Sequence, residues 1–284
     1  MNQGLTSAVV VAALAAVITL ACGDAETRRA PAQTATSAED SAEGGRLVSV
    51  DGRRLYLDCR GSGSPTVVME AGGEGHSGSW RFVQPGVAGF TRVCVYDRAG
   101  AGQSEPAPAG RHAQEVADEL GALLEAASVE PPYVLVGHSL GGIIVRYFAL
   151  AFPDQVAGMV LVDTSHGDQR ARTRAVLTDD EWADLEQRLT AMEAPTLSGL
   201  DLVGPPLGDI PLVVLSAGRV RGDLAPDVAE RLAQVAGEMH RELAALSSQG
   251  VRIIAEESGH GIPQEQPDLV IDAVRDVVRA VAGP

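Results

Sequence analysis

Basic charge is scarce in this chain of 284 residues: 22 Lys and Arg stand against 38 Asp and Glu, for a formal charge of −16. A surface that acidic repels phosphate backbones and anionic headgroups, which argues against nucleic-acid binding. Acidity says nothing more about substrate, because it also serves solubility. Cysteine is scarce too, at 3 residues, and no Cys/His cluster has zinc-like spacing, so no metal site is implied. No internal repeat is visible. Charge is missing altogether from the first 22 residues, and large apolar side chains are missing from Gly23 to Gly45.

Each of the last two absences has a structural meaning. Leu5 to Ala21 is an Ala/Val/Leu run that ends at Cys22, the pattern of an export signal. Leu20-Ala21-Cys22 resembles a bacterial lipoprotein cleavage site, whose cysteine is lipidated and becomes the mature N-terminus. Thr19 stands where Leu is usual and no Lys or Arg precedes the run, so an uncleaved anchor remains the competing reading. Either way the globular part is expected outside the cytoplasm, periplasmic or extracellular, and in touch with the membrane only through its N-terminus. The stretch 23–45 cannot bury enough surface to fold and reads as a tether.

From Arg46 the pattern changes. Alternation over Leu47–Val50, an Asp51-Gly52 turn and Arg53–Cys59 predict a hairpin. Thr66–Glu70 and Arg92–Tyr96 read as the next strands, followed by Tyr133–Val136, Gly158–Val162, Leu212–Ser216 and Val251–Ala255. Helical periodicity over Arg111–Ala127, Leu140–Phe152 and Asp268–Val281 falls between and after them. Eight strands alternating with helices predict one α/β domain over 46–284, an eight-stranded, mostly parallel sheet with helices on both faces. His166 to Gly208 breaks the alternation with a charged helical insertion, in which Thr178 and Glu181 form a capping box. Pro226–Leu246 is a second helical excursion.

One strand ends in chemistry. Tyr133–Val136 runs into Gly137-His138-Ser139-Leu140-Gly141-Gly142, and an apolar-periodic helix follows at once. A serine on such a bend is lifted above the carboxyl end of the sheet, where only small flanking residues fit. This resembles the nucleophile elbow of the α/β-hydrolase superfamily, in a form common among its esterases and lipases. The Glu70-Ala71-Gly72-Gly73 loop and the Tyr96-Asp97-Arg98-Ala99-Gly100-x-Gly102-x-Ser104 turn recur in a bacterial subgroup of these enzymes. The likeness runs from Arg46 to the C-terminus.

The resemblance implies Ser139 as nucleophile. A serine hydroxyl needs an adjacent base, and His260, in the loop after the last strand, stands where the family carries it. His138 and His76 fit less well; His138 would pack beneath the elbow and His76 could at most touch substrate. The acid stays open. Arg221 occupies the family position after strand seven, Asp223 lies two residues late, and Asp163 ends strand six, where other members place it. Leu140 and Gly73 would supply the oxyanion-hole N–H groups. In the family strand order the second and fourth strands are neighbours, so Cys59 and Cys94 can form a disulfide, with two buried thiols as the alternative. The insertion at 166–208 would be a short cap. Arg170, Arg172 and Arg174 at its start could steer an anion or merely form a solvated face.

These residues point to acyl transfer on a small-molecule carboxylic ester without a cofactor. Lactonase, thioesterase, amidase and peptidase activities remain alternatives on the same fold. So does a non-catalytic ligand-binding protein, which the displaced Asp223 would suit.

Overall fold

The computed structural model describes residues 44–73, 75–191, 197–204, 206–220 and 222–283. The signal run with Cys22, the tether up to residue 43 and Arg221 lie outside the described residues. Eight strands form one sheet: β1 (Arg46–Val50), β2 (Arg53–Arg60), β3 (Thr66–Glu70), β4 (Val93–Tyr96), β5 (Tyr133–His138), β6 (Val156–Val162), β7 (Leu212–Ala217) and β8 (Gly250–Ala255). Their spatial order is β1-β2-β4-β3-β5-β6-β7-β8. β2 runs antiparallel to both its neighbours, and every pairing from β4 to β8 is parallel.

The central strands are apolar on both sides because both sides are covered. Along β5, Tyr133 and Leu135 enter one core while Val134 and Val136 enter the other, and Met159/Leu161 against Val160/Val162 repeat the split along β6. The helices on the first face are α2 (Ala113–Ala126) and α3 (Gly141–Ala151), and those on the second are α1 (Gln84–Ala88) and α8 (Pro267–Ala282). α2 buries Val116, Ala117, Leu120, Leu123 and Leu124, and α8 buries Val270, Ile271, Val274, Val277 and Val278. Both sets follow the i, i+1, i+4, i+7, i+8 spacing of a helical stripe. α1 was not legible in the sequence, being five residues with a Pro and a Gly in a single turn.

Between β6 and β7 the chain forms α4 (Gln169–Ala175) and α5 (Asp179–Ala191), and after β7 it forms α6 (Pro226–Ala244). Thr178 and Glu181 exchange both capping-box hydrogen bonds at the start of α5, at 2.8 and 3.3 Å. Leu177, Leu185 and Val228 make a small separate core there, with Trp182, Leu224 and Leu232 packed around it. The second helical excursion thus packs beside the insertion. The short α7 (Ile262–Glu265) follows β8.

Cys59 and Cys94 are directly opposite in the β2/β4 register, with Cα atoms 4.0 Å apart, and are disulfide-bonded. The bond closes a loop of 35 residues, a constraint on the unfolded chain worth about 3–4 kcal/mol. Reduction, or the double substitution Cys59→Ser/Cys94→Ser, is therefore expected to lower the thermal midpoint by several degrees. An unchanged melting curve with and without reductant would show that the pair adds nothing.

Candidate active site

β5 delivers the bend. Its last residue is His138, Ser139 makes the turn, and α3 begins at Gly141. Ser139 has a φ of 53°, a left-handed conformation that costs a side-chain-bearing residue roughly 1–2 kcal/mol. The neighbours hold it there. Ser139 N–H donates to Val162 O at 3.0 Å, and Ser139 O accepts from Ser165 N–H at 3.1 Å and Thr164 Oγ1 at 2.8 Å. Close approach explains the flanking glycines. A methyl on Gly137 would sit 2.6 Å from Gly142 Cα, and one on Gly141 would sit 2.5 Å from the carbonyl oxygens of both Glu70 and Ala71.

Three of the sequence candidates meet at this bend. His260 Nε2 lies 2.9 Å from Ser139 Oγ, and His260 Nδ1 lies 2.7 Å from Asp163 Oδ2. A carboxylate only accepts, so Nδ1 carries the ring hydrogen and Nε2 presents its lone pair to the serine hydroxyl. Asp163 directly follows β6 and has a φ of 38°; its Oδ1 accepts Ala217 N–H at 2.9 Å. Burial raises its carboxyl, but the His260 hydrogen bond, the nearby imidazoles of His240 and His260 and the Ala217 N–H outweigh that and hold it below the ordinary 3.8. Asp163 is therefore an ionised acceptor at neutral pH.

Asp223 is elsewhere. Its carboxylate is 3.5 Å from Arg188 Nη1, its carbonyl accepts from the same nitrogen at 3.3 Å, and it lines the cleft between α5 and α6. Distance from the strand end separates the two acids: Asp163 is the first residue past β6, whereas Asp223 is the sixth past β7. β6 is the immediate neighbour of β5, so its carboxyl end opens beside the elbow.

Further polar contacts brace the three. His138, in the strand beneath Ser139, donates from Nε2 to His260 O at 2.9 Å. Gly259 N–H donates to Glu265 Oε2 at 3.1 Å, and Ser258 O accepts the N–H groups of Gly218 and Arg219 at 3.1 and 2.9 Å, which ties the loops after β7 and β8 together. Behind Asp163, Arg252 Nε donates to Ser216 Oγ at 2.8 Å, and that oxygen is 2.9 Å from His240 Nδ1. His240 Nε2 donates to Thr164 O at 3.1 Å. This pattern fits a neutral imidazole that takes the Ser216 hydroxyl hydrogen on Nδ1, and burial lowers the His240 pKa in the same sense. His240 had no local signal in the sequence, since it is one polar residue on an amphipathic helix brought to Asp163 only by folding.

Leu140 starts the helical turn after Ser139, and Gly73 lies in the loop after β3. Among the described residues no acceptor is paired with either N–H. His76 precedes the Ser77–Trp80 turn. The cap arginines are engaged within their own surroundings. Arg170 pairs with Glu186, Arg172 with Glu242 at 2.7 Å and Asp168 at 3.2 Å, and Arg174 with Asp179. Arg170 and Arg174 also lie over the Trp182 ring. These pairings suit the solvated-face reading of the three arginines.

Known proteins share this architecture. YqjL of Bacillus subtilis (strain 168) is 30% identical over 244 residues, which span 82% of this chain and 91% of that protein. A thermophilic esterase from Thermogutta terrifontis superposes with a TM-score of 0.64 at 20% identity, over 84% of this chain and 100% of that one. Est816, described as an N-acyl homoserine lactone degrading enzyme, superposes with a TM-score of 0.59 at 20% identity, over 81% of this chain and 99% of that one. At such identities the two superpositions speak for the fold alone. The family model for the α/β-hydrolase fold matches residues 65–233, which include the elbow and Asp163, and with that match and the sheet order the chain belongs to the α/β-hydrolase family.

Proposed function

We propose that this protein is a serine hydrolase that cleaves carboxylic esters through an acyl-enzyme. The observation that carries the reading is the relay from Ser139 Oγ to His260 Nε2 at 2.9 Å and from His260 Nδ1 to Asp163 Oδ2 at 2.7 Å. Ser139 Oγ adds to the ester carbonyl carbon as its proton passes to His260 Nε2. The oxyanion accepts hydrogen bonds from Leu140 and Gly73 N–H, each such donor being worth on the order of 10²-fold or more in rate. His260 returns the proton to the departing alkoxide oxygen, and the alcohol leaves. A water then gives a proton to His260 and attacks the acyl carbon, and His260 passes that proton to Ser139 Oγ as the bond to the acyl carbon breaks, freeing the carboxylic acid and the serine hydroxyl. His260 has a side chain 61% exposed, so water reaches this base directly. No step calls on a cofactor.

The contact of Asp163 with His260 supports the catalytic reading over a non-catalytic binding protein, the alternative that the displaced Asp223 would suit. A lactone is a cyclic carboxylic ester, so lactones belong in the substrate set beside open-chain esters. We also infer that the domain works outside the cytoplasm, on the strength of the uncharged N-terminal run and the disulfide. If Cys22 carries a lipid, Cys22→Ser shifts the protein from the membrane fraction to the soluble one.

Hydrolysis of p-nitrophenyl esters of graded chain length tests the central reading. Ser139→Ala is expected to abolish turnover and labelling by a fluorophosphonate, and Asp163→Asn to cost about 10²- to 10⁴-fold, while Asp223→Asn stays within about 3-fold of wild type. A folded wild-type protein that neither hydrolyses any ester or lactone nor takes the label would end the enzyme reading.

The lowered Asp163 pKa has a second consequence. A carboxyl depressed in the folded state contributes stability that is complete above its ordinary 3.8 and is lost as pH falls below it. Urea unfolding of Asp163→Asn between about pH 3 and about pH 5 is expected to show a shallower loss of stability on acidification than wild type.

A further inference from the structure

We propose that Arg98 is the positioning residue of the oxyanion hole, setting the direction of the Gly73 N–H through the carbonyl of Gly72. The inference rests on the serine-hydrolase reading and adds to it a residue outside the triad.

The hole needs two donors, and they are held very differently. Leu140 N–H belongs to the first turn of α3, so a regular helix orients it. Gly73 N–H belongs to an irregular loop of small residues after β3, and a methyl built on Gly73 meets nothing within 4 Å. A donor contributes to catalysis only if it is aimed before charge develops. The loop's own backbone supplies one bond to that peptide, from Gly75 N–H to Gly72 O at 3.1 Å, and a buried side chain adds the rest.

Arg98 is placed to do so. Its side chain is only 6% exposed, and its two terminal nitrogens are spread over four consecutive residues. Nη1 donates to Glu70 Oε1 at 2.5 Å and to Ala71 O at 2.8 Å. Nη2 donates to Gly72 O and, at 3.1 Å, to Gly73 O. The Arg98 N–H reaches the far side of the same loop, donating to Gly75 O at 2.7 Å. In a trans peptide the C=O of one residue and the N–H of the next lie in one plane and point in opposite directions. Gly72 O is turned onto the guanidinium, so the N–H of Gly73 is turned away from it, onto the open side of the loop. That loop lies against the nucleophile. A methyl on Gly72 would sit 3.4 Å from Ser139 Cβ. The cation also polarises the peptide it holds, which strengthens the N–H as a donor to an oxyanion.

Glu70 and Tyr96 hold the guanidinium in turn. Glu70 is fully buried, with Arg98 on Oε1 and the Tyr96 hydroxyl on Oε2. A buried ion pair adds little net stability over an apolar packing of similar size, whereas its geometry is specific. Lysine would supply the charge without the fork that reaches four acceptors.

The test compares wild type, Arg98→Lys and Tyr96→Phe for ester kcat/KM, for the ester to thionoester ratio of kcat/KM, and for inhibition by an aryl trifluoromethyl ketone. The ketone forms a hemiketal with Ser139 whose oxyanion occupies the hole, and a thionoester places sulfur there, which the hole serves poorly. Arg98→Lys is expected to lower ester kcat/KM by about 10²-fold, to raise the ketone Ki in step, and to shrink the ester preference over the thionoester. If Arg98→Lys does not fold, Tyr96→Phe carries the test, with the same three changes expected at about 3- to 10-fold. A folded variant whose ketone Ki and ester to thionoester ratio match wild type overturns the proposal, even if its melting temperature has dropped. A wild-type protein that neither turns over esters nor is labelled at Ser139 instead removes the parent reading.

Discussion

The backbone of Ser139 and its neighbours cannot relax, and the rest of the site depends on that. A residue with a φ of 53° survives only where its surroundings over-determine it. Here Val162, Thr164 and Ser165 hold both of its backbone polar groups, and Gly141 backs directly onto the carbonyls of Glu70 and Ala71. The carboxyl ends of β3, β5 and β6 are thereby locked into one layer. The segments that follow those three strands carry Gly73, Ser139 and Asp163, so one packing constraint positions most of the candidate site.

Polar groups do the remaining work from below and behind. On one side Glu70, Tyr96 and Arg98 are buried under the loop that holds Gly73. On the other, Arg252, Ser216 and His240 form a chain behind Asp163, which itself has a φ of 38°. Arg252 Nε–H, the Ser216 hydroxyl and His240 Nε2–H each meet an acceptor there, the condition under which buried polar groups specify a geometry without destabilising the fold. His260 is the exposed member, and it is steadied through its loop by His138 and Glu265. His260 is open to water, while Glu70, Arg98, His138, Ser216 and His240 are buried.

Much of this was legible before any coordinates. Strand-length apolar runs, the Gly-His-Ser-Leu-Gly-Gly bend and the His260 loop are local patterns, each set by residues adjacent in the chain, and they sufficed for the fold class and for singling out Ser139 and His260, which folding brings within 2.9 Å. Helix ends were legible to within a residue or two, because apolar stripes and caps announce them. The choice between Asp163 and Asp223 was not. Both follow strands, and only the folded chain sets the Asp163 carboxylate 2.7 Å from His260 Nδ1 and turns Asp223 to Arg188. Likewise Cys59 and Cys94 could be neighbours on the resemblance, but the register that sets them opposite is a property of the assembled sheet.

What the sequence determined by itself was therefore periodicity and punctuation: which segments extend, which coil, and where a serine is forced onto a bend. What the tertiary structure decided was every contact between residues far apart in the chain. His240 reaches Thr164, Arg98 reaches Gly72 and His138 reaches His260 across 76, 26 and 122 positions respectively for the hydrogen bonds involved. The physical reason is that a side chain's local pattern reports whether it is buried, whereas its partner is set by which strands the sheet makes neighbours.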